Sequence, residues 1–315
     1  GFYNASLRLQ NIISSFVASL GTVLLPRMSY YVKNKESNKF LALMGKAINY
    51  SAFISIPLAI YISVMASDII TFIAGNGYLG AAGSMVYLSL SVVAIGLTNI
   101  IGMQVLTPLN KDKFVLISVM VGAVVDFVLN FFWIPAYGAT GAALSTLVCE
   151  FAVLAVQVFF AIKLLKQVKK SIHLYKYIIL GIVAGVPIYF VQYWGIPFSI
   201  FRLVIAGIIY AAVYLGILIL IKDPLVHELF GFIKGKLKKK KAPETDNAEN
   251  AIEETSDNPA LENGAAIAAE AALPPETGDE ESDDIIIHTI FDADEDGDDA
   301  ISFEKAKKRK DTFDD

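Results

Sequence analysis

Polar side chains recur at helical spacing along an apolar stretch near the start of the chain. Arg8 is followed by Asn11, Ser15, Ser19 and Thr22, each three or four residues apart. This spacing places all five on one face of a helix whose other faces are apolar. Polar groups at membrane depth normally face a cavity or a partner, and arginine donors match phosphate oxygens. We therefore expect Arg8, with Asn11 and Ser15, to bind an anionic substrate; the alternative is an arginine that snorkels to the headgroups.

Two carboxylates lie inside later apolar stretches. Asp126 and Asn130 are four residues apart on one stretch, and Glu150 lies on the next. Helical spacing adds Ser118 and Gly122 to the first polar face and Thr146 and Gln157 to the second. A carboxylate at membrane depth protonates or pairs rather than face lipid. Two interpretations remain open: an ion-coupling or proton-coupling site of Asp126, Asn130 and Glu150, or an interhelical hydrogen-bond clamp.

A third group of oxygen ligands lies near the end of the chain. Residues 292–304 resemble a calcium-binding EF-hand loop, with Asp294, Asp296 and Asp298 at ligand positions. In that alignment Asp299 stands where the loop needs glycine, and Lys305 where it needs a bidentate glutamate. The alternative is a solvated acidic tail. The sequence predicts no cofactor other than this possible calcium ion.

Seven apolar runs of about 20 residues must position the first two groups. Each run is long enough to cross a bilayer. They are roughly Leu7–Pro26, Ala47–Met65, Met85–Leu106, Phe114–Ile134, Ala142–Ile162, Tyr177–Tyr193 and Leu203–Ile221. The runs lack the alternation of barrel strands, so they predict helices. The predicted fold is an all-α, multi-pass transmembrane bundle of about seven spans. Pro57 and Pro187 fall inside two runs, where they could act as hinges or simply reflect the composition of membrane helices.

Charge assigns the two sides of the membrane. Residues 1–241 carry 21 Lys and Arg against 7 Asp and Glu, whereas residues 242–315 carry 5 against 24. Apart from Arg8, inside the first run, the basic residues of the first part fall in the first, third and fifth connections and after the last run, while the other connections hold only Arg202. Since cytoplasmic loops are enriched in Lys and Arg, we predict Gly1 outside and the tail in the cytoplasm.

The same composition divides the chain into four parts. Residues 1–165 form a lobe of five predicted spans, and residues 166–221 add two more. Residues 222–241 predict a basic amphipathic helix on the inner leaflet, and residues 242–315 an acidic, mostly disordered tail. Because the chain opens on Gly1 without a signal segment, we expect it to be the second part of a larger transporter. Its single cysteine excludes intrachain disulfides.

Three stretches carry a family resemblance. They are Gly1–Ser6 with Ser19–Ser29, the cytoplasmic turn Leu109–Lys113, and Leu129–Ala143, where Asn, Pro and two Gly recur across a helix–turn–helix. Together they resemble the polysaccharide (O-antigen, Wzx-type) flippases, a branch of the superfamily of multidrug, oligosaccharidyl-lipid and polysaccharide exporters. That family has about fourteen spans, and the chain is similar to its eighth onward. The acidic tail lies outside the family pattern.

The resemblance implies a transporter and not an enzyme. It would move an undecaprenyl-pyrophosphate-linked oligosaccharide for cell-surface polysaccharide export by alternating access, with Arg8 meeting the pyrophosphate. Implied partners are the lipid-linked glycan, membrane lipids and polysaccharide polymerase or assembly proteins, with no nucleic acid. A murein-precursor (lipid II) flippase or a multidrug exporter of the same superfamily is the near alternative, and a non-transporting membrane scaffold is the more distant one.

Overall fold

The computed structural model describes residues 1–191 and 200–226. Within these ranges the chain is helical and contains no strand, which confirms the predicted all-α membrane bundle. The helices are α1 Phe2–Lys33, α2 Ser37–Val64, α3 Ala66–Ala74, α4 Ala82–Thr98, α5 Asp112–Phe160, α6 Ile162–Val168, α7 Leu174–Val191 and α8 Ile200–Leu220. Short 3-10 helices lie at Asn76–Ala81 and Lys169–Ser171, and a π-helix at Asn99–Leu106 continues α4.

Five of the described helical segments are long and apolar enough to cross a membrane, or six when α1 is counted across its 40° bend. The longest, α5, spans 49 residues but is broken at Gly138, whose φ of 57° and ψ of −130° are not helical. The arms 112–137 and 139–160 fold back on one another. The stacked rings of Phe114 and Phe160, at the far ends of the two arms, show this, with 4.2 Å between their centroids. Each arm is long enough to be one span, so the helices follow the seven predicted runs.

Neither Pro57 nor Pro187 bends its helix, in keeping with the second of the two interpretations that the sequence left open. α2 continues through Pro57 and α7 through Pro187. The bend instead falls in α1, between its parts Phe2–Ser19 and Leu24–Lys33, and the third span changes from α-helix to π-helix at Asn99. A proline removes one helical hydrogen bond, which neighbouring helices and side chains can compensate in a membrane.

α7 and α8 pack on α2 through hydroxyl groups that bond to backbone carbonyls. The hydroxyl of Tyr61 donates to the carbonyl of Leu203 at 2.8 Å, and that of Tyr214 to the carbonyl of Phe53 at 3.2 Å. A hydroxyl bonded in this way satisfies its polar end while its ring packs among apolar neighbours. The last two spans are therefore part of the same packed body as the first three.

Candidate functional site

α1 turns its polar stripe away from the other described helices. Arg8, Asn11 and Ser15 are exposed, whereas Ile13 and Val17, on the opposite face, are 8% and 3% exposed. Since one face of an amphipathic helix packs and the other remains accessible, the predicted substrate-binding residues lie together on an open surface of the bundle.

Two polar side chains on the packed face of α1 fix this orientation. Ser6 Oγ donates to the carbonyl of Ala81 at 3.1 Å, and Gln10 Nε2 donates to Ser91 Oγ at 2.7 Å. Ala81 immediately precedes α4, and Ser91 lies within it. A buried polar group that found no partner here would cost about 1–3 kcal/mol. These bonds therefore favour the rotation of α1 that leaves Arg8 outside the packed interface.

The stripe has hydrogen-bond donors at Arg8, its first residue along α1, and serine hydroxyl groups further along the helix. Arg8 forms no ion pair with any residue in the described part of the chain, and its side chain is exposed. Ser15 Oγ donates to the carbonyl of Asn11 at 2.8 Å, and Ser19 Oγ to the carbonyl three residues before it at 2.7 Å. The Ser15 hydroxyl oxygen thus keeps lone pairs for water or a ligand. The side chain of Thr22 lies outside the described residues.

Asp126 and Asn130 form one unit on the first arm of α5. Asn130 Nδ2 donates to Asp126 Oδ2 at 2.9 Å. The other oxygens of the pair, Asp126 Oδ1 and Asn130 Oδ1, are buried and have no hydrogen-bond donor within the described residues. Two buried acceptors without donors are suited to a proton or to a small hard cation, which takes oxygen ligands.

The second arm brings Glu150 and Thr146 to the same region. Glu150 is half-buried and follows Cys149, whose Sγ lies 3.3 Å from a Cβ added to Gly122, one turn before Asp126. Thr146 Oγ1 lies 3.1 Å from the hydroxyl of Tyr3, on α1. The three predicted coupling residues thus occur in one region of the hairpin, and Thr146 joins that region to the helix that carries Arg8.

Gln157 and Ser118 belong to a different contact. Gln157 Nε2 donates to Ser118 Oγ across the two arms at 3.2 Å. A Cβ added to Gly102, in the π-helix, would lie 2.8 Å from Gln157 Nε2. An interhelical hydrogen bond between the fourth and fifth spans is therefore formed by Ser118 and Gln157.

Several contacts within the bundle had no recognisable signal in the sequence. Tyr3 could not be identified as a contact residue, because a single tyrosine beside an apolar run is common in membrane proteins. Arg202 forms an ion pair with Asp68, and Lys176 with Asp223. Both pairs join residues that are far apart in the sequence, and ion pairs between distant positions leave no periodic pattern.

The predicted calcium ligands Asp294, Asp296 and Asp298 lie outside the described residues, as do most of the basic amphipathic segment and the whole acidic tail. Within residues 1–191 and 200–226, no group of three or more His, Cys, Asp or Glu side chains is arranged to hold a metal ion.

The chain is similar to archaeal membrane proteins and to a solved flippase. It is 29% identical over 215 residues to the uncharacterized membrane protein MJ1068 of Methanocaldococcus jannaschii, covering 68% of this chain and 42% of that protein. It is 23% identical over 146 residues to the probable low-salt glycan biosynthesis flippase Agl15 of Haloferax volcanii, covering 46% and 31%. The chain thus spans less than half the length of the curated relatives it matches.

The fold is that of a solved flippase half. The chain superimposes on the lipid II flippase MurJ in its inward closed conformation with a TM-score of 0.58 and 17% identity, covering 71% of this chain and 47% of that one. The family model for lipid II flippase MurJ matches residues 1–208. The predicted relation to flippases is confirmed, and the matching family is that of the lipid II flippases, the predicted alternative to the Wzx-type branch. The chain belongs to the lipid II flippase MurJ family.

Proposed function

We propose that the complete protein is a flippase that moves a polyprenyl-pyrophosphate-linked glycan across the membrane by alternating access. The observation that carries this proposal is the exposed polar stripe of α1, with Arg8 at its head, on a lobe that has the fold of a flippase half. In alternating access, two lobes rock around a site between them. A stripe on the open surface of one lobe is suited to line that site.

Arg8 is the residue that we propose meets the pyrophosphate. Its guanidinium can donate two parallel hydrogen bonds to phosphate oxygens, and such charge-assisted pairs are about twice as strong as neutral hydrogen bonds. Asn11 and Ser15, one and two turns further along the stripe, would then contact polar groups of the substrate or the water that surrounds it.

The glycan remains the open part of the proposal. An oligosaccharide on the lipid carrier is our leading candidate, since the sequence motifs resemble the Wzx-type flippases and one relative is named a glycan biosynthesis flippase. Lipid II is the second candidate, which the family match favours. The two substrates share the lipid pyrophosphate and differ in their sugars. A multidrug exporter is less well supported, because an exposed arginine on the stripe disfavours cationic drugs.

Export by Arg8 variants of the full-length protein tests this function. We expect Arg8→Ala to abolish most transfer of a fluorescent polyprenyl-pyrophosphate-linked glycan across proteoliposomes. Arg8→Lys should restore only part of it, because lysine keeps the charge but loses the bidentate fork. Lys33→Ala is the matched control, since Lys33 is an exposed cation at the other end of the same helix. Normal transfer in Arg8→Ala at equal protein levels would reduce Arg8 to a headgroup anchor.

We further propose that Asp126, Asn130 and Glu150 couple transport to an ion or proton gradient. Support comes from the buried acceptor oxygens Asp126 Oδ1 and Asn130 Oδ1, which have no donor within the described residues. A cation or proton bound there would neutralise one of two neighbouring carboxylates. The bond between Thr146 and Tyr3 offers a physical link from this region to the α1 stripe.

The orientation and the partners are also proposals. We place the lysine-rich connections and the tail in the cytoplasm of a bacterial cell and Gly1 outside, on the basis of the charge distribution. The ion pair of Lys176 with Asp223 supports the alternation, because it brings the fifth connection and the start of the tail to the same end of the bundle. Polysaccharide polymerase or assembly proteins would act on the exported glycan.

A further inference from the structure

The last described residues, Asp223 to Val226, are bound to the bundle by an ion pair, a hydrogen bond and apolar packing. Asp223 forms an ion pair with Lys176, at the start of α7, and its Oδ1 accepts the backbone N–H of Leu225 at 2.9 Å. Leu225 and Val226 are 5% and 3% exposed and pack in the same apolar cluster as Tyr177. The segment that follows Val226 therefore begins at a fixed position beside the fifth connection.

That connection presents a basic surface of defined shape. Lys166, Lys169 and Lys170 are exposed there, and we call them the exit lysines. Asn49, on α2, holds the connection in place: its Nδ2 donates to the carbonyl of Ser171 at 2.6 Å, and its Oδ1 accepts the N–H of the residue two positions later at 2.9 Å. The exit lysines thus lie on a connection anchored to the bundle.

The chain beyond this point carries the complementary charge. Residues 242–304 contain 21 acidic residues and no Lys or Arg. The six lysines within residues 234–241 balance fewer than a third of them. Ala242 is 16 residues beyond Val226, a length that spans at most about 58 Å when fully extended. The acidic segment can therefore return to the exit lysines from its point of departure.

We propose that residues 242–304 bind the exit lysines of the same molecule. Tethering a ligand to its site by a short linker gives effective concentrations in the millimolar range. At such a concentration, several weak ion pairs between carboxylates of residues 242–304 and the exit lysines are enough to keep the segment bound. The bound segment would occupy lysines that anionic phospholipid headgroups otherwise contact. This contact does not depend on the proposed substrate, because the exit lysines lie on the fifth connection and not on the α1 stripe.

Zero-length cross-linking of the complete chain tests the contact. A carbodiimide joins a lysine amine to a carboxylate as an amide and takes up the water that is lost. In monomeric protein in zwitterionic nanodiscs, we expect cross-links from residues 242–304 to the exit lysines at several times the yield to Lys33, Lys39 and Lys113, which are also exposed on the basic side. Raising NaCl from 0.1 M to 1 M shortens the screening length from about 10 Å to about 3 Å and should lower the yield at least about fivefold.

Matched variants and lipid composition decide the outcome. Lys166→Gln, Lys169→Gln and Lys170→Gln together should release the acidic segment, so that limited proteolysis within residues 242–304 accelerates several-fold. Lys33→Gln, Lys39→Gln and Lys113→Gln together remove the same charge and should leave that rate unchanged. Equal cross-linking to both lysine groups, or loss of the exit-lysine cross-links when the nanodiscs contain anionic lipid, would overturn the proposal and assign the surface to the headgroups.

Discussion

Gly122 allows the two arms of α5 to approach closely, and adding one methyl group there should measurably destabilise the protein. A Cβ at this position would lie 2.4 Å from Val153 Cγ2 and 3.3 Å from Cys149 Sγ, on the opposite arm. Ordinary contact begins at 3.4 Å, so Val153 or its whole arm must move by about 1 Å. Gly122→Ala is therefore an overpacking change made one turn from Asp126, on the same helix face.

The expected loss follows from two opposing effects. Overpacking of this kind costs about 1–3 kcal/mol, and the displacement required here favours the upper end of that range. Replacing glycine by alanine in a helix returns about 0.8–1.0 kcal/mol. We expect Gly122→Ala to lower the free energy of unfolding by about 2 kcal/mol. Gly216→Ala is the control, because a Cβ there meets nothing within 4 Å, and it should be neutral or stabilise by up to about 1 kcal/mol.

Unfolding in mixed micelles, followed by circular dichroism and by the thiol reactivity of Cys149, measures both variants. Cys149 is the only cysteine in the chain and lies at the contact being tested. Val153→Ala removes the clashing methyl groups, so the double variant Gly122→Ala with Val153→Ala should regain stability relative to the sum of the single changes, with a coupling of about 0.5–3 kcal/mol. Equal stability of Gly122→Ala and Gly216→Ala, or strict additivity in the double variant, would refute the close approach of the two arms.

Three further predictions concern coupling, orientation and the tail. Asp126→Asn and Glu150→Gln keep hydrogen bonding but remove the titratable charge, so transport in vesicles should lose its dependence on an imposed sodium or proton gradient; full dependence in both variants would leave only a structural role. In a cysteine-free background, cysteines at the exposed positions Asn76 and Asn38 should react with an impermeant thiol reagent from the outside and the inside, respectively, and labelling of both from one side would contradict the orientation. A peptide of residues 282–315 should show no saturable calcium binding by calorimetry below about 0.1 mM, because the EF-hand alignment has Lys305 in place of the bidentate glutamate; a micromolar site with new helix would show that calcium binds there.

The amino-acid sequence was sufficient to predict the spans and the polar faces. Length and hydropathy identify a membrane helix without knowledge of its neighbours, because each span must satisfy its own backbone hydrogen bonds in lipid. The reversal between the fourth and fifth spans was equally local: it lies within Leu129–Ala143, the stretch whose Pro and two Gly indicated a helix–turn–helix, and Gly138 has the non-helical backbone. The polar stripe below Arg8 followed from helical spacing alone.

The sequence could not determine which side chains meet. Ser118 pairs with Gln157, and Thr146 with Tyr3, because the arms of α5 pack in one particular alignment against each other and against α1. The same holds for helix distortion: packing keeps α2 continuous at Pro57, while α1 bends.

Tertiary structure also decided which way the stripe faces. Helical spacing placed Arg8 and Asn11 on one face, but that face could have packed against the bundle or away from it. The bonds of Ser6 and Gln10 to the third span select the second arrangement. Their cost if left unpaired, about 1–3 kcal/mol each, depends on what surrounds them after folding. Periodicity is a property of one helix, whereas burial and pairing are properties of the helices that surround it.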